Sequence, residues 1–279
     1  MKEGMHIFDM KLKEKYGPTY GTHVLGKPDL ASSDLEILRR VMVKDFSHFE
    51  DRVDFIKVNP KDDYSLQLNA LTVKNGDEWR RIRNTITPAF TTGKIKRKYQ
   101  DFFQLLINAI DDENEINQQD KDVDSDIIHE EISKTKKNGI SKIELLAQSW
   151  IVLVAGYETT AFTLQMVIYI ISKIPEIQEK MRDEIMEVIG DKTEIDYDDI
   201  TKLKYINQVV QETLRMYPPA SRSNRLCTKP ITINGIHLDK DVAFSIPVYA
   251  IHHDEKYYPD PYNFDPDRFA PEEKAKRDH

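Results

Sequence analysis

Residues 153–162 read Leu-Val-Ala-Gly-Tyr-Glu-Thr-Thr-Ala-Phe, and they lie in the most apolar part of the chain. Between Leu145 and Ser172 the only formal charge is Glu158. Three readings compete for this lone carboxylate. Residues 145–172 are long enough to span a bilayer, but Gln148, Ser149, Thr159, Thr160, Thr163 and Gln165 interrupt them. A buried core helix is the second reading, and it needs a partner or a raised pKa for Glu158. The third is a proton-handling site. Ala155 and Gly156 would let a large flat group approach, and the threonine hydroxyls would distort the helix locally beside Glu158.

Working outward, Ser141 begins this long helix and Pro175 suits the first turn of the next. There Ile177, Met181, Ile185, Val188 and Ile189 form a stripe, with Gly190 as a stop. The spacing predicts a third helix over 201–217, with Ile206, Val209, Val210 and Leu214 buried and Pro218-Pro219 ending it. Then the period changes. Ile231–Leu238 alternates around Asn234-Gly235, a hairpin signal, and 242–246 can add a strand. The tail from Tyr257 reads as ordered coil.

On the N-terminal side, residues 19–31 read as a small hairpin around Gly26-Lys27-Pro28. Ser33 or Asp34 caps a helix over 35–43. Asn75-Gly76 marks a turn, and Asp77 is the expected N-cap of a short helix carrying Trp79, Arg80, Arg81 and Arg83. Residues 111–126 hold eight acids and one lysine without periodicity, a solvated loop. The whole is mainly helical with a minor sheet, an α+β pattern.

The chain has 279 residues, 39% hydrophobic and 32% charged, the balance of a globular protein with a sizeable core. Its net charge of −8 argues against a nucleic-acid partner. A single cysteine, Cys227, rules out an intramolecular disulfide and any multi-cysteine metal site. The first residues hold neither a signal-peptide core nor a membrane anchor. His252-His253-Asp254 does not make a metal site, because adjacent histidines share no face in a helix or strand.

Glu212 and Arg215 are three apart and can pair on one helix face, and Arg268 sits among proline and aromatic residues far downstream. A buried cluster of the three would be a structural lock. Trp79 and Arg83 put an indole N–H and a guanidinium on one face, a donor pair suited to a carboxylate or phosphate, although taken alone a plain basic surface helix is the better reading.

Taken together, Ala155-Gly156-Tyr157-Glu158-Thr159-Thr160, Glu212-Thr213-Leu214-Arg215, Pro266-Asp267-Arg268-Phe269 and Trp79-x-x-x-Arg83 resemble the cytochrome P450 family of haem-thiolate monooxygenases. They stand in the family's order, with Asp267 replacing the usual glutamate. The surrounding segments resemble its animal microsomal branch of drug- and steroid-oxidising enzymes.

The resemblance implies that Trp79, Arg83 and Arg222 contact haem propionates and that Ala155 and Gly156 lie over the porphyrin. It also implies that Glu158 and Thr159 deliver protons to dioxygen, and that Glu212, Arg215 and Arg268 form the lock. It further implies a lipophilic small-molecule substrate, an NADPH-dependent reductase as partner and a place at the endoplasmic reticulum membrane. Without an anchor, that place becomes its cytoplasmic face or the cytosol.

Three departures temper this reading. The family's iron-ligating cysteine loop does not occur by His279, and Cys227 does not match it, reading instead as a small buried hydrophobe. A long segment carrying the pocket roof is missing near Tyr99-Gln100. The microsomal anchor is not found. The expectation is one incomplete domain in two blocks, 1–99 and 100–279. It would be a truncated or internally deleted member that holds haem poorly, has no iron ligand of its own and is inactive as given.

Overall fold

The computed structural model describes residues 3–24, 26–53, 66–87 and 140–276. These fall into two compact units, Met1–Val53 with Gly156–His279, and Asp54–Ala155. The acidic stretch 111–126 and the join near Tyr99-Gln100 lie outside the described residues.

In the first unit, helix α1 (Met5–Tyr16) leads into strands β1 (Thr19–Val24) and β2 (Lys27–Ser32). They pair antiparallel across the expected hairpin, from Thr19 opposite Ser32 to Val24 opposite Lys27. Helix α2 (Leu35–Arg39) starts on Asp34, whose carboxylate accepts from the N–H groups of Glu36 and Ile37. The expected α-helix to residue 43 instead widens into a π-turn over Arg40–Lys44. Far along the chain come β3 (Ser223–Leu226), β4 (Ile231–Ile233), β5 (Ile236–Leu238) and β6 (Ala243–Ile246).

The four-stranded sheet has the order β1-β2-β6-β3, so β2 lies parallel to β6 although more than two hundred residues separate them. β4 and β5 form the predicted hairpin, turned by Asn234 at φ 49° and Gly235 at φ 81°. Two successive positive φ values are what a two-residue hairpin of this hand requires, which is why Asn-Gly serves there. Phe49, Phe244, Ile37, Val41, Ile233, Leu238 and Cys227 make the core beneath these strands.

Helix α4 (Lys142–Lys173) is continuous through residues 153–162. Helix α5 (Pro175–Val188) follows, and Gly190 stops it at φ 55°. The helix predicted over 201–217 is α7 (Lys204–Met216), and a separate single turn, α6 (Tyr197–Ile200), precedes it. That turn carries a capping box between Asp196 and Asp199. Val167, Ile170, Ile177 and Val209 pack together where α4, α5 and α7 meet. The tail contains a 3₁₀ turn at Pro266–Phe269 and α9 (Pro271–Ala275), after α8 (Val248–His252).

In the second unit, α3 (Gly76–Ile86) begins one residue before the expected cap. Asn75 holds the N-cap position and Asp77 lies in the first turn, where its charge favours the helix N-terminus. Ile82, Ile86 and Ile140 form the core of this unit, with Leu71 and Leu145 against it.

Candidate functional site

The buried side of α7 is not the apolar stripe its sequence suggests. Val209 and Met216 are buried, but so are Glu212, Thr213 and Arg215, with Glu212 at 0% and Arg215 at 1% exposure. A buried ion pair survives only when its remaining hydrogen bonds are satisfied. Here they are. Arg215 donates through Nε to Glu212 Oε2 at 2.7 Å and through Nη2 to Oε1 at 2.8 Å. Its Nη1 donates to the His252 carbonyl at 2.8 Å. Glu212 Oε1 also accepts the Asp265 N–H at 3.0 Å.

Arg268 approaches the same Glu212 oxygen with Nε at 3.6 Å and donates through Nη2 to the Asp260 carbonyl at 2.9 Å. The structure therefore brings Glu212, Arg215 and Arg268 to one place and ties α7 to α8 and to the 257–269 segment. Sequence reasoning missed His252 as a member. Its Nδ1 lies 3.1 Å from the Arg215 carbonyl, and burial pushes its imidazole below the ordinary histidine range.

Along α4, Glu158 and Thr159 are exposed. So are Leu153 at 64% and Tyr157 at 73%. The Thr159 carbonyl accepts the Thr163 hydroxyl at 2.8 Å, the back-bond expected of a threonine in a helix. A Cβ added to Gly156 would meet nothing within 4 Å, so the helix surface there is open. Glu158 is thus not the buried carboxylate of the core-helix reading, since no described residue closes over this face. Among the described residues α4 is also the one helix long and apolar enough to cross a membrane.

In the second unit, Trp79 is half-buried and the exposed Arg83 guanidinium lies over its ring at 5.2 Å. Both remain on the outer face of α3, while Ile82 and Ile86 face the core. Arg81, which sequence reasoning took for a surface charge, pairs with Glu144 at the start of α4. Burial pushes the Glu144 carboxyl up, but Arg81 and the Ser141 N–H and hydroxyl together bring it below the usual range. Gln148 is fully buried and spans three backbone groups. It accepts the Leu71 N–H at 2.8 Å and donates to the carbonyls of Asn69 at 2.7 Å and Glu144 at 3.1 Å.

Arg222, the third expected propionate contact, has other partners. Its Nη2 lies 3.0 Å from Asp9 Oδ1 and 3.5 Å from Asp29 Oδ2, both buried carboxylates. Its charge is already matched within the protein. Cys227 lies in the core cluster under the sheet, and its thiol donates to the Lys229 carbonyl at 3.1 Å. Burial pushes this thiol above its ordinary value, so it is neither ionised nor reachable. Among the described residues no cluster of three histidine, cysteine, aspartate or glutamate side chains is placed to hold a metal.

Comparison with known proteins agrees with these motifs. The family model described as Cytochrome P450 matches residues 1–110 and again 91–279. The chain is 26% identical to mouse "Cytochrome P450 3A11" and 27% identical to human "Cytochrome P450 3A7". These alignments cover 99% of the chain and 74% and 75% of those proteins. Rat "Cytochrome P450 3A9" is 26% identical over 96% of the chain and 73% of its own length. The mouse alignment runs over 381 positions against a chain of 279 residues. About a hundred positions, the difference of those two lengths, therefore face no residue of this chain. The two family matches meet at 91–110, around the expected join.

Proposed function

The chain belongs to the cytochrome P450 family of haem-dependent monooxygenases, and from that premise we propose which of its residues serve that chemistry and which part of it the chain cannot perform. The supporting observation is the closed Glu212–Arg215–Arg268 network. It is an expensive arrangement to bury, and it makes sense as a rigid frame that holds α7 and the 257–269 segment in register.

Haem, when bound, supplies the reductive activation of dioxygen that lets one oxygen atom enter a lipophilic substrate. The residues here fit part of that group. Open space over Gly156 suits the approach of a flat macrocycle. Trp79 and Arg83 offer an indole N–H and a guanidinium to a carboxylate. Glu158 and Thr159, exposed on α4, are the proton-transfer candidates, with Glu158 able to hold and release a proton at its carboxyl oxygens. Ala155 and Gly156 keep that stretch of helix free of bulk.

The axial ligand does not fit. Cys227 is the only cysteine in the 279 residues, and its thiol is buried, hydrogen-bonded and pushed away from ionisation. A thiolate is the group that tunes the iron in this family, and Cys227 does not offer one. We therefore infer that these 279 residues carry the family's frame and proton-delivery helix but supply no thiolate to the iron, and that by themselves they are not catalytic. The reductase partner, the lipophilic substrate and the microsomal location belong to the complete enzyme by family.

The test is the ferrous carbon-monoxide difference spectrum of the 279-residue protein, expressed with added haem precursor. The expected result is no thiolate-type Soret band and substoichiometric haem. A full thiolate-type band would overturn the assignment. Stoichiometric haem without that band would point to another axial ligand and would also count against it.

A further inference from the structure

Beneath α1 lies a buried polar cluster around Arg222. Asp9 on α1 and Asp29 on β2 are 1% and 3% exposed. Asp9 Oδ1 accepts the Tyr20 hydroxyl at 2.9 Å and Arg222 Nη2 at 3.0 Å. Among the described residues Asp29 Oδ1 accepts the Ser245 hydroxyl at 2.7 Å, and its Oδ2 stands 3.5 Å from the same Arg222 nitrogen. Asp9 Oδ2, Asp29 Oδ2 and Arg222 Nε are buried with no hydrogen-bond partner.

Two carboxylates therefore face one guanidinium, and a single nitrogen of it serves both. Fully ionised, the cluster would bury one uncompensated negative charge, which is costly in a site closed to water. One carboxyl must hold a proton. Asp9 takes two good donors, one of them charged, so its ionised form is the better supported. Asp29 has one neutral donor and the longer contact.

We propose that Asp29 is a protonated carboxylic acid at neutral pH and acts as a pH-sensitive latch that keeps α1 fastened to the four-stranded sheet. The groups acting on Asp29 are Asp9 from α1, Arg222 from the segment before β3 and Ser245 from β6. Asp9 also feels Tyr20 from β1 and His6 from its own helix. Burial pushes both carboxyls above the ordinary aspartate value of 3.8, against the pull of Arg222. Burial and the Asp9 charge push the Tyr20 phenol upward as well, so Tyr20 stays a donor.

The linkage has a definite sign. A carboxyl that binds its proton more tightly in the folded state adds stability at low pH. That stability is lost as pH rises from the unfolded value through the folded one. Ionised Asp29 would compete with Asp9 for the one Arg222 nitrogen, and α1 would loosen.

Infrared spectroscopy of the full chain tests this through the C=O stretch of a buried carboxylic acid. The expected result is a protonated band at neutral pH, lost on alkaline titration together with a fall in thermal midpoint, and absent in folded Asp29→Asn. Absence of the band in the unmodified protein, or its persistence in Asp29→Asn, would overturn the proposal. If Asp29→Asn does not fold, Ser245→Ala decides. Removing a donor to Asp29 moves the band's titration midpoint to higher pH, and an unmoved midpoint would refute the assignment to Asp29.

Discussion

Arg215 carries more of the fold than any surface charge does. Its guanidinium meets both Glu212 oxygens and the His252 carbonyl while 1% exposed. Arg215→Ala strands a buried carboxylate, and the expected loss is about 3–5 kcal/mol of unfolding free energy. Arg215→Lys is expected to recover little, because a single ammonium cannot reproduce the two-pronged contact. Urea unfolding followed by far-UV circular dichroism checks both. The pairing of Glu212 with Arg215 was legible from their spacing of three on a helix, and Arg268 from the motif around it. His252 was not, because its two contacts with Arg215, through its carbonyl and its ring Nδ1, span 37 positions of sequence. The partners of Arg222 were not legible for a related reason. The carboxylates that claim it, Asp9 and Asp29, come from the far end of the chain, and no local pattern ties them to residue 222.

At the scale of elements, Gln148 fastens the irregular stretch 66–74 to α4. It bridges the Leu71 N–H and the Asn69 carbonyl, and loops of this kind are held mainly by such side-chain contacts. Gln148→Leu keeps the bulk and removes these two bonds together with the one to the Glu144 carbonyl, leaving Leu71 N–H without its acceptor in a part-buried site. The expected cost is about 1–3 kcal/mol, with hydrogen-exchange protection lost at Leu71 and retained in the middle of α3. The periodic helices and the Asn234-Gly235 hairpin could be read in the sequence because their signals are local. The pairing of β2 with β6 could not, since nothing near either strand names the other. Nor could the separate turn α6 before α7, which rests on a capping box at Asp196 and Asp199.

For the molecule as a whole, the apolar middle of α4 is the point of tension. Leu153, Tyr157, Leu164 and Ile168 are all more than half exposed, and a contiguous apolar surface of this kind drives association. The alignment with the mouse relative extends over 381 positions against 279 residues, and the family matches meet at 91–110. The segment that the relatives carry and this chain does not is expected to cover that face. We predict that inserting the mouse relative's segment between Tyr99 and Gln100 lowers binding of a hydrophobic dye and shifts the protein toward the monomer in sedimentation velocity. Leu164→Glu with Ile168→Glu, placed in the uninserted chain, is expected to give the same shift by making the face polar. If the two charges abolish association and the insertion does not, the face is exposed as described but the relatives' segment does not cover it. If neither changes dye binding, this face of α4 is not the surface that associates.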